Sequence, residues 1–154
     1  ETTKVTLHVG IGTFQKLRTE QIEKGELHEE SYVLTQETVS AIQDCRARRG
    51  RVIAVGTTVT RALEAAFSVN NSLVPHSGTT KMFIRPGFNF RVVDGLFTNF
   101  HLPESSLLML VSAFAGKDRV LTAYKSAVQN RMRFFSYGDA MLLLPNSGYK
   151  HVCD

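Results

Sequence analysis

Residues 37–66 carry the most restrictive pattern in the chain. A helical repeat, a short apolar run, a Gly turn and a second helical repeat follow one another with no spacer. Val39, Ala41, Ile42 and Cys45 recur at helical spacing over 37–49, and the segment closes on Arg-rich residues and Gly50, as helix ends prefer. Arg51-Val52-Ile53-Ala54-Val55 is a short apolar run typical of a buried strand, and Gly56-Thr57-Thr58 follows it before the helical stretch Arg61-Ala62-Leu63-Glu64-Ala65-Ala66. Helix, strand, turn and helix in that order predict an α/β layer with some parallel pairing. With 154 residues the chain can bury one sizeable core, so a single α/β segment over 1–154, with layered helices and a mixed sheet, is the expected fold.

The flanking stretches fill in this frame. Val5-Thr6-Leu7-His8-Val9 alternates as a strand should and feeds the loop Gly10-Ile11-Gly12-Thr13. Polar residues with Pro75 and Gly78 predict a loop over 68–80. Residues 82–90 and 91–97 read as a hairpin or bent strand cornered at Pro86-Gly87. Residues 107–115 follow a polar cap and predict a buried helix ending at Gly116; a second helix is expected over 119–131. A loop over 133–139, a strand over 140–144 and a tail over 145–154 complete the reading.

Apolar residues make up 43% and charged residues 21% of the chain, the profile of a folded protein. The longest strongly apolar stretch, 107–115, falls well short of the roughly 20 residues that cross a bilayer, so a cytoplasmic placement without membrane contact is expected. Cys45 and Cys153 form neither a CxxC pair nor a zinc-spaced cluster, which argues against a disulfide or structural metal. A net charge of +4 makes a polyanionic partner plausible without specifying one.

Four clusters place chemistry beside these elements. The Gly56-Thr57-Thr58 turn would aim backbone N–H groups and two hydroxyls at a carboxylate, ribose or phosphate, although the same turn also serves as an ordinary helix cap. Asp94, Asn99 and His101 bring an acid, an amide and an imidazole close together in sequence, enough to handle a proton; a hydrogen-bonded core histidine is the plainer alternative. Arg131-Met132-Arg133-Phe134-Phe135-Ser136-Tyr137-Gly138-Asp139 mixes cations with aromatics, the combination that grips phosphate and stacks unpaired bases, though Phe134 or Phe135 also suits the core. His28 and Glu30 lack the second His of a zincin site, leaving pocket contacts or a solvated surface. The Gly10 and Gly12 pair lacks the third Gly of a dinucleotide fingerprint, which excludes NAD binding.

Taken together, these blocks resemble the C-terminal part of the S-adenosylmethionine:tRNA ribosyltransferase-isomerase family. The resemblance rests on Thr6-Leu7-His8-Val9-Gly10-Ile11-Gly12-Thr13-Phe14, Leu27-His28-Glu29-Glu30, Arg51-Val52-Ile53-Ala54-Val55-Gly56-Thr57-Thr58 with Arg61, and Phe83-Ile84-Arg85-Pro86-Gly87-Phe88. It continues through Val92-Val93-Asp94-Gly95-Leu96-Phe97-Thr98-Asn99-Phe100-His101-Leu102-Pro103 to Gly116, and closes on residues 133–141. Departures fall at Gly25, where a His is usual, and at Val59, Thr60, Thr80, Glu104 and Met132.

The resemblance implies a larger α/β domain of which this chain is one part, with the N-terminal half and its inserted β-barrel domain absent. It further implies transfer and isomerisation of the ribosyl moiety of S-adenosylmethionine onto 7-aminomethyl-7-deazaguanine in tRNA, giving epoxyqueuosine and releasing adenine and methionine. S-adenosylmethionine is then a co-substrate, with no bound cofactor and no metal. On this view His101, held by Asn99 or Asp94, takes part in proton transfer, and Asp139 contacts the substrate amine or sulfonium. Gly56, Thr57, Thr58 and Arg61 contact S-adenosylmethionine; Arg133, Ser136, Tyr137 and Gly138 hold the nucleotide; His8, Thr13, His28 and Glu30 line the pocket. The competing expectation is a truncated, non-catalytic RNA-binding module.

Overall fold

The computed structural model describes residues 1–10 and 17–145. Thr13 and the tail beyond 145 therefore lie outside the described residues. The elements run β1 (Thr6–His8), α1 (Thr19–Lys24), β2 (Glu26–Leu34), α2 (Gln36–Ala47), β3 (Ile53–Val55), α3 (Thr57–Asn70), β4 (His76–Met82), β5 (Gly95–Asn99), α4 (Ser106–Ala115), α5 (Lys117–Gln129) and β6 (Ala140–Leu143). Two three-stranded sheets result: an antiparallel one ordered β1-β2-β4 and a mixed one ordered β3-β5-β6. The parallel pair implied by the 37–66 pattern is β3 with β5, in register from Ile53 opposite Gly95 to Val55 opposite Phe97.

Helix α3 packs against strands of both sheets and carries the centre of the core on Ala62, Leu63, Ala65 and Ala66, where Leu96, Leu110, Val111 and Phe114 meet it. Small residues on its inner face let the helix approach the strands closely. Thr35 caps α2 by accepting from the Thr38 amide, and Ser105 caps α4 by accepting from the Leu108 amide. Gly25 ends α1 at φ 67, a left-handed conformation in which a residue without Cβ is unstrained.

Two expectations are corrected. The loop predicted over 68–80 shrinks to the turn between α3 and β4, because His76–Met82 pairs with β2 in register from Glu30 opposite Thr80 to Leu34 opposite His76. Its side chains are mostly polar, so the strand carried no apolar alternation to read. The hairpin predicted over 82–97 does not form. Residues 83–93 run irregularly although Phe83, Ile84, Phe90, Val92 and Val93 are buried. The amides of Arg91, Val92 and Val93 donate instead to the buried carboxylate of Glu64, at 2.8, 3.0 and 3.0 Å, so one side chain takes the place of a neighbouring strand.

Candidate functional site

The carboxyl ends of the parallel strands β3 and β5 open onto the same end of the mixed sheet, the place where α/β sheets gather ligands. Val55 leads into Gly56, whose amide donates to Phe97 O at 2.8 Å, so the first turn of α3 is locked to β5. Gly56 is the N-cap and offers no side-chain acceptor, and the turn holds no acidic residue. Its N–H groups and the positive end of a 14-residue helix are directed at this end of the sheet.

Asn99 closes β5 and ties it to the loop before β6, its side-chain amide donating to Gly138 O at 3.3 Å and Asp139 O at 3.4 Å. The Phe135 amide donates to Phe100 O at 2.9 Å, and the rings of Phe100, Tyr124 and Phe134 cluster with centroids 5.2–5.7 Å apart. The loop is closed on itself by Asp139, whose carboxylate accepts from the Arg133 amide at 2.7 Å and meets its guanidinium at 3.2 Å. Those hydrogen bonds from Arg133 hold the Asp139 carboxyl below its usual pKa. At Gly138 an added Cβ would lie 2.6 Å from Arg133 O, so only glycine fits this crossing. Phe135 adopts φ 69, a costly conformation for a bulky residue, and its bonds to Phe100 and Gly138 hold it there. Ser136 is exposed, and Tyr137 stands 96% exposed at the tip.

His101 is buried beneath this surface. One ring nitrogen, Nε2, lies 3.1 Å from Thr98 Oγ1, and the His101 amide donates to the Tyr124 hydroxyl at 2.8 Å. Burial lowers its pKa to about 4, so the ring is neutral near pH 7. Because the unfolded chain binds a proton at the ordinary value of 6.5 and the folded chain only at about 4, stability contributed by the neutral ring is complete above pH 6.5. It is lost as pH falls from there towards 4. The imidazole resonance of His101 should titrate with a midpoint near 4. Unfolding free energy should fall by roughly 3 kcal/mol across that window, and much less in His101→Gln. A midpoint near 6.5 would mean the ring is solvated.

The structure thus brings Asn99 together with Gly138 and Asp139, with Arg133, Ser136 and Tyr137 on the adjoining loop and Gly56, Thr57 and Thr58 at the same end of the sheet, while His101 lies buried against Thr98 and Tyr124. Asp94 does not hold His101. It sits at the opposite end of β5, roughly 17 Å away along the strand, accepting from the Val52 amide at 2.7 Å and paired with Arg46 at 2.7 Å. Asn99 does not hold the ring either, since its amide is spent on the loop. Arg61 and Glu30 do not reach the site. They form a buried ion pair at 2.7 Å between α3 and β2, with Arg61 Nε donating to Met82 O at 3.1 Å. His8 and His28 are exposed on the antiparallel sheet. Thr98 and Tyr124, which hold His101, were not singled out by the sequence. Thr98 lies three residues upstream, on β5, whereas Tyr124 has no local signal at all.

No group of three His, Cys, Asp or Glu able to hold a metal occurs among the described residues, and no described helix is long and apolar enough to cross a membrane. The fold defines an α/β domain whose parallel strand ends are bordered by an exposed aromatic, basic loop. Residues 1–143 match the family described as queuosine biosynthesis protein, and the chain belongs to that family. Among its relatives is the S-adenosylmethionine:tRNA ribosyltransferase-isomerase of Azoarcus sp. (strain BH72), 60% identical over 142 residues, which cover 92% of this chain and 41% of the relative. That of Caldanaerobacter subterraneus subsp. tengcongensis is 52% identical over 144 residues, covering 94% and 42%. The crystal structure of S-adenosylmethionine tRNA ribosyltransferase from Thermotoga maritima superposes with a TM-score of 0.73 at 46% identity, over 92% of this chain and 44% of that one. The chain spans about two fifths of the length of the curated relatives it matches.

Proposed function

We propose that this chain supplies one part of the site that transfers and isomerises the ribosyl moiety of S-adenosylmethionine onto 7-aminomethyl-7-deazaguanine in tRNA, with release of adenine and methionine and formation of epoxyqueuosine. The observation that carries this reading is the junction of Asn99 with Gly138 and Asp139 at the end of β5, in a chain that matches the family over residues 1–143. S-adenosylmethionine presents a cationic sulfonium and an anionic carboxylate. The ionised Asp139 suits the cation or the substrate amine, and the uncapped first turn of α3 at Gly56, Thr57 and Thr58 suits the anion. The exposed Tyr137 offers a stacking face to an unpaired base, with Ser136 beside it, and Arg133, 74% exposed, offers a charge to tRNA phosphate. The sulfonium acidifies the adjacent ribose C5′ protons, so a base near it starts the rearrangement. The leaving adenine takes up a proton. We assign His101, a neutral imidazole 3.1 Å from Thr98 Oγ1, to take part in one of these proton transfers.

The test is a chimaera in which this chain replaces the matching stretch of the Azoarcus relative, incubated with S-adenosylmethionine and tRNA bearing 7-aminomethyl-7-deazaguanine. Free adenine should appear only with that tRNA. Asp139→Asn should slow its release by at least about tenfold through lost charge pairing, and Tyr137→Ala should raise KM for tRNA more than it lowers kcat. A folded chimaera that binds tRNA and releases no adenine would assign the chain to RNA binding alone. Near-normal turnover in Asp139→Asn would remove that residue from the site.

A further inference from the structure

Helix α5 is held to the core by one narrow strip, on which Val120 and Ala127 are buried and the Tyr124 ring packs against Phe100 and Phe134. The rest of its circumference is open. Lys117, Arg119 and Lys125 stand exposed on the helix and Arg131 just beyond it, against the single acid Asp118. Residues 117–131 therefore hold an excess of three positive charges, when the net charge of the whole chain is +4. Asp118 lies in the first turn, where the helix dipole favours an acid. Arg46, Arg48, Arg61 and Arg133 each meet a carboxylate, whereas Lys117, Lys125 and Arg131 pair with none among the described residues. Their charge is directed at solvent.

Tyr124 is the one aromatic residue of α5, and its ring is spent on the cluster with Phe100 and Phe134, so the open surface of the helix offers cations without a stacking face. The loop at its C-terminal end offers the reverse, with Tyr137 at its exposed tip and Phe135 40% exposed. Unpaired RNA is gripped by stacking along its length, whereas a paired stem hides its bases and presents phosphates. The two surfaces are fixed to each other. The Arg131 amide donates to Val128 O at 3.1 Å, the Met132 amide donates to Ala127 O at 2.9 Å, and Phe134 lies 5.7 Å from Tyr124. We propose that α5 with Arg131 is a phosphate track for the paired stem of an RNA hairpin, whose unpaired nucleotides reach the 133–139 loop. Thirteen helical residues extend about 20 Å, enough to follow the phosphates of several base pairs. The inference rests on RNA as the partner in the proposed function.

Salt-dependent binding tests it. The 154-residue chain is titrated with an RNA hairpin carrying an ordinary guanine in its loop, and with a single strand of the same loop sequence that cannot pair. No S-adenosylmethionine is present, so hairpin binding and ribosyl transfer can fail separately. The chain should bind the hairpin more tightly than the single strand. The triple variant Lys117→Gln, Lys125→Gln, Arg131→Gln should weaken hairpin binding by at least about tenfold at 0.1 M salt and flatten the slope of log K against log salt by about 2 to 3. Lys125→Gln alone should flatten it by about 1. Tyr137→Ala should weaken binding and leave the slope unchanged, because stacking releases no counterions. The control is Arg49→Gln, Arg51→Gln, Lys81→Gln, which removes the same charge from exposed positions elsewhere and should change neither affinity nor slope. Equal losses in the two triple variants overturn the proposal, since net charge would then act without a track. A preference for the single strand, or no binding of the hairpin, overturns it as well.

Discussion

Glu64→Ala should destabilise the chain by about 3–5 kcal/mol, read as a fall of more than about 1 M in the urea midpoint. The carboxylate accepts three consecutive backbone N–H groups, from Arg91, Val92 and Val93, and the last two residues are 3% and 1% exposed. Alanine leaves these donors without partners in a space that water reaches poorly, at about 1–3 kcal/mol for each group fully orphaned. Glutamine should cost less, since its carbonyl can keep the Val92 and Val93 bonds while its NH2 confronts the Arg91 amide. Burial pushes the Glu64 carboxyl up in pKa against the opposing pull of the three amide bonds. If alanine and glutamine proved equally mild, the segment 83–93 would be held by apolar burial alone. Domains of this size are stable by only about 5–15 kcal/mol, so the predicted loss is a large fraction of the total.

Arg61→Met should cost a similar 3–5 kcal/mol, while the double variant Arg61→Met with Glu30→Leu should recover most of it. Both partners are 2% exposed, and the guanidinium also donates to Met82 O. Desolvation drives the Arg61 pKa down while Glu30 opposes it, the signature of a charge kept ionised by its partner rather than by solvent. Removing one member strands the other in the interior; removing both leaves an apolar contact between α3 and β2. A double variant as unstable as the single one would show that the pair does more than neutralise itself, for instance by fixing the register of β2 against β4.

The helices were legible because their signals are local. Periodicity and a polar cap place α2 and α4 to within a few residues, and the run 51–55 with its following Gly is visible as strand and turn. Strands β2 and β4 were not. Both are rich in charged and hydroxyl residues, and their pairing is decided by partners about fifty residues apart. The apolar run after Met82 misled for the opposite reason: burial looks the same in sequence whether a strand or a carboxylate satisfies the backbone. At the site, proximity of Asn99 to Asp139 came from family resemblance rather than from spacing. The Arg61–Glu30 pair shows the limit of that route, since matching residues were assigned to ligand contact when the fold uses them to bind each other.

Helix α3 begins at Gly56, beside the strand ends, and carries Arg61 and Glu64 on its buried side as fasteners to the antiparallel sheet and to the 91–93 segment. Fourteen helical residues form a rod of roughly 21 Å that bends little. A displacement of its first turn should therefore carry, as through a lever, to both fasteners, and loosening either should blur the aim of the amides at its tip.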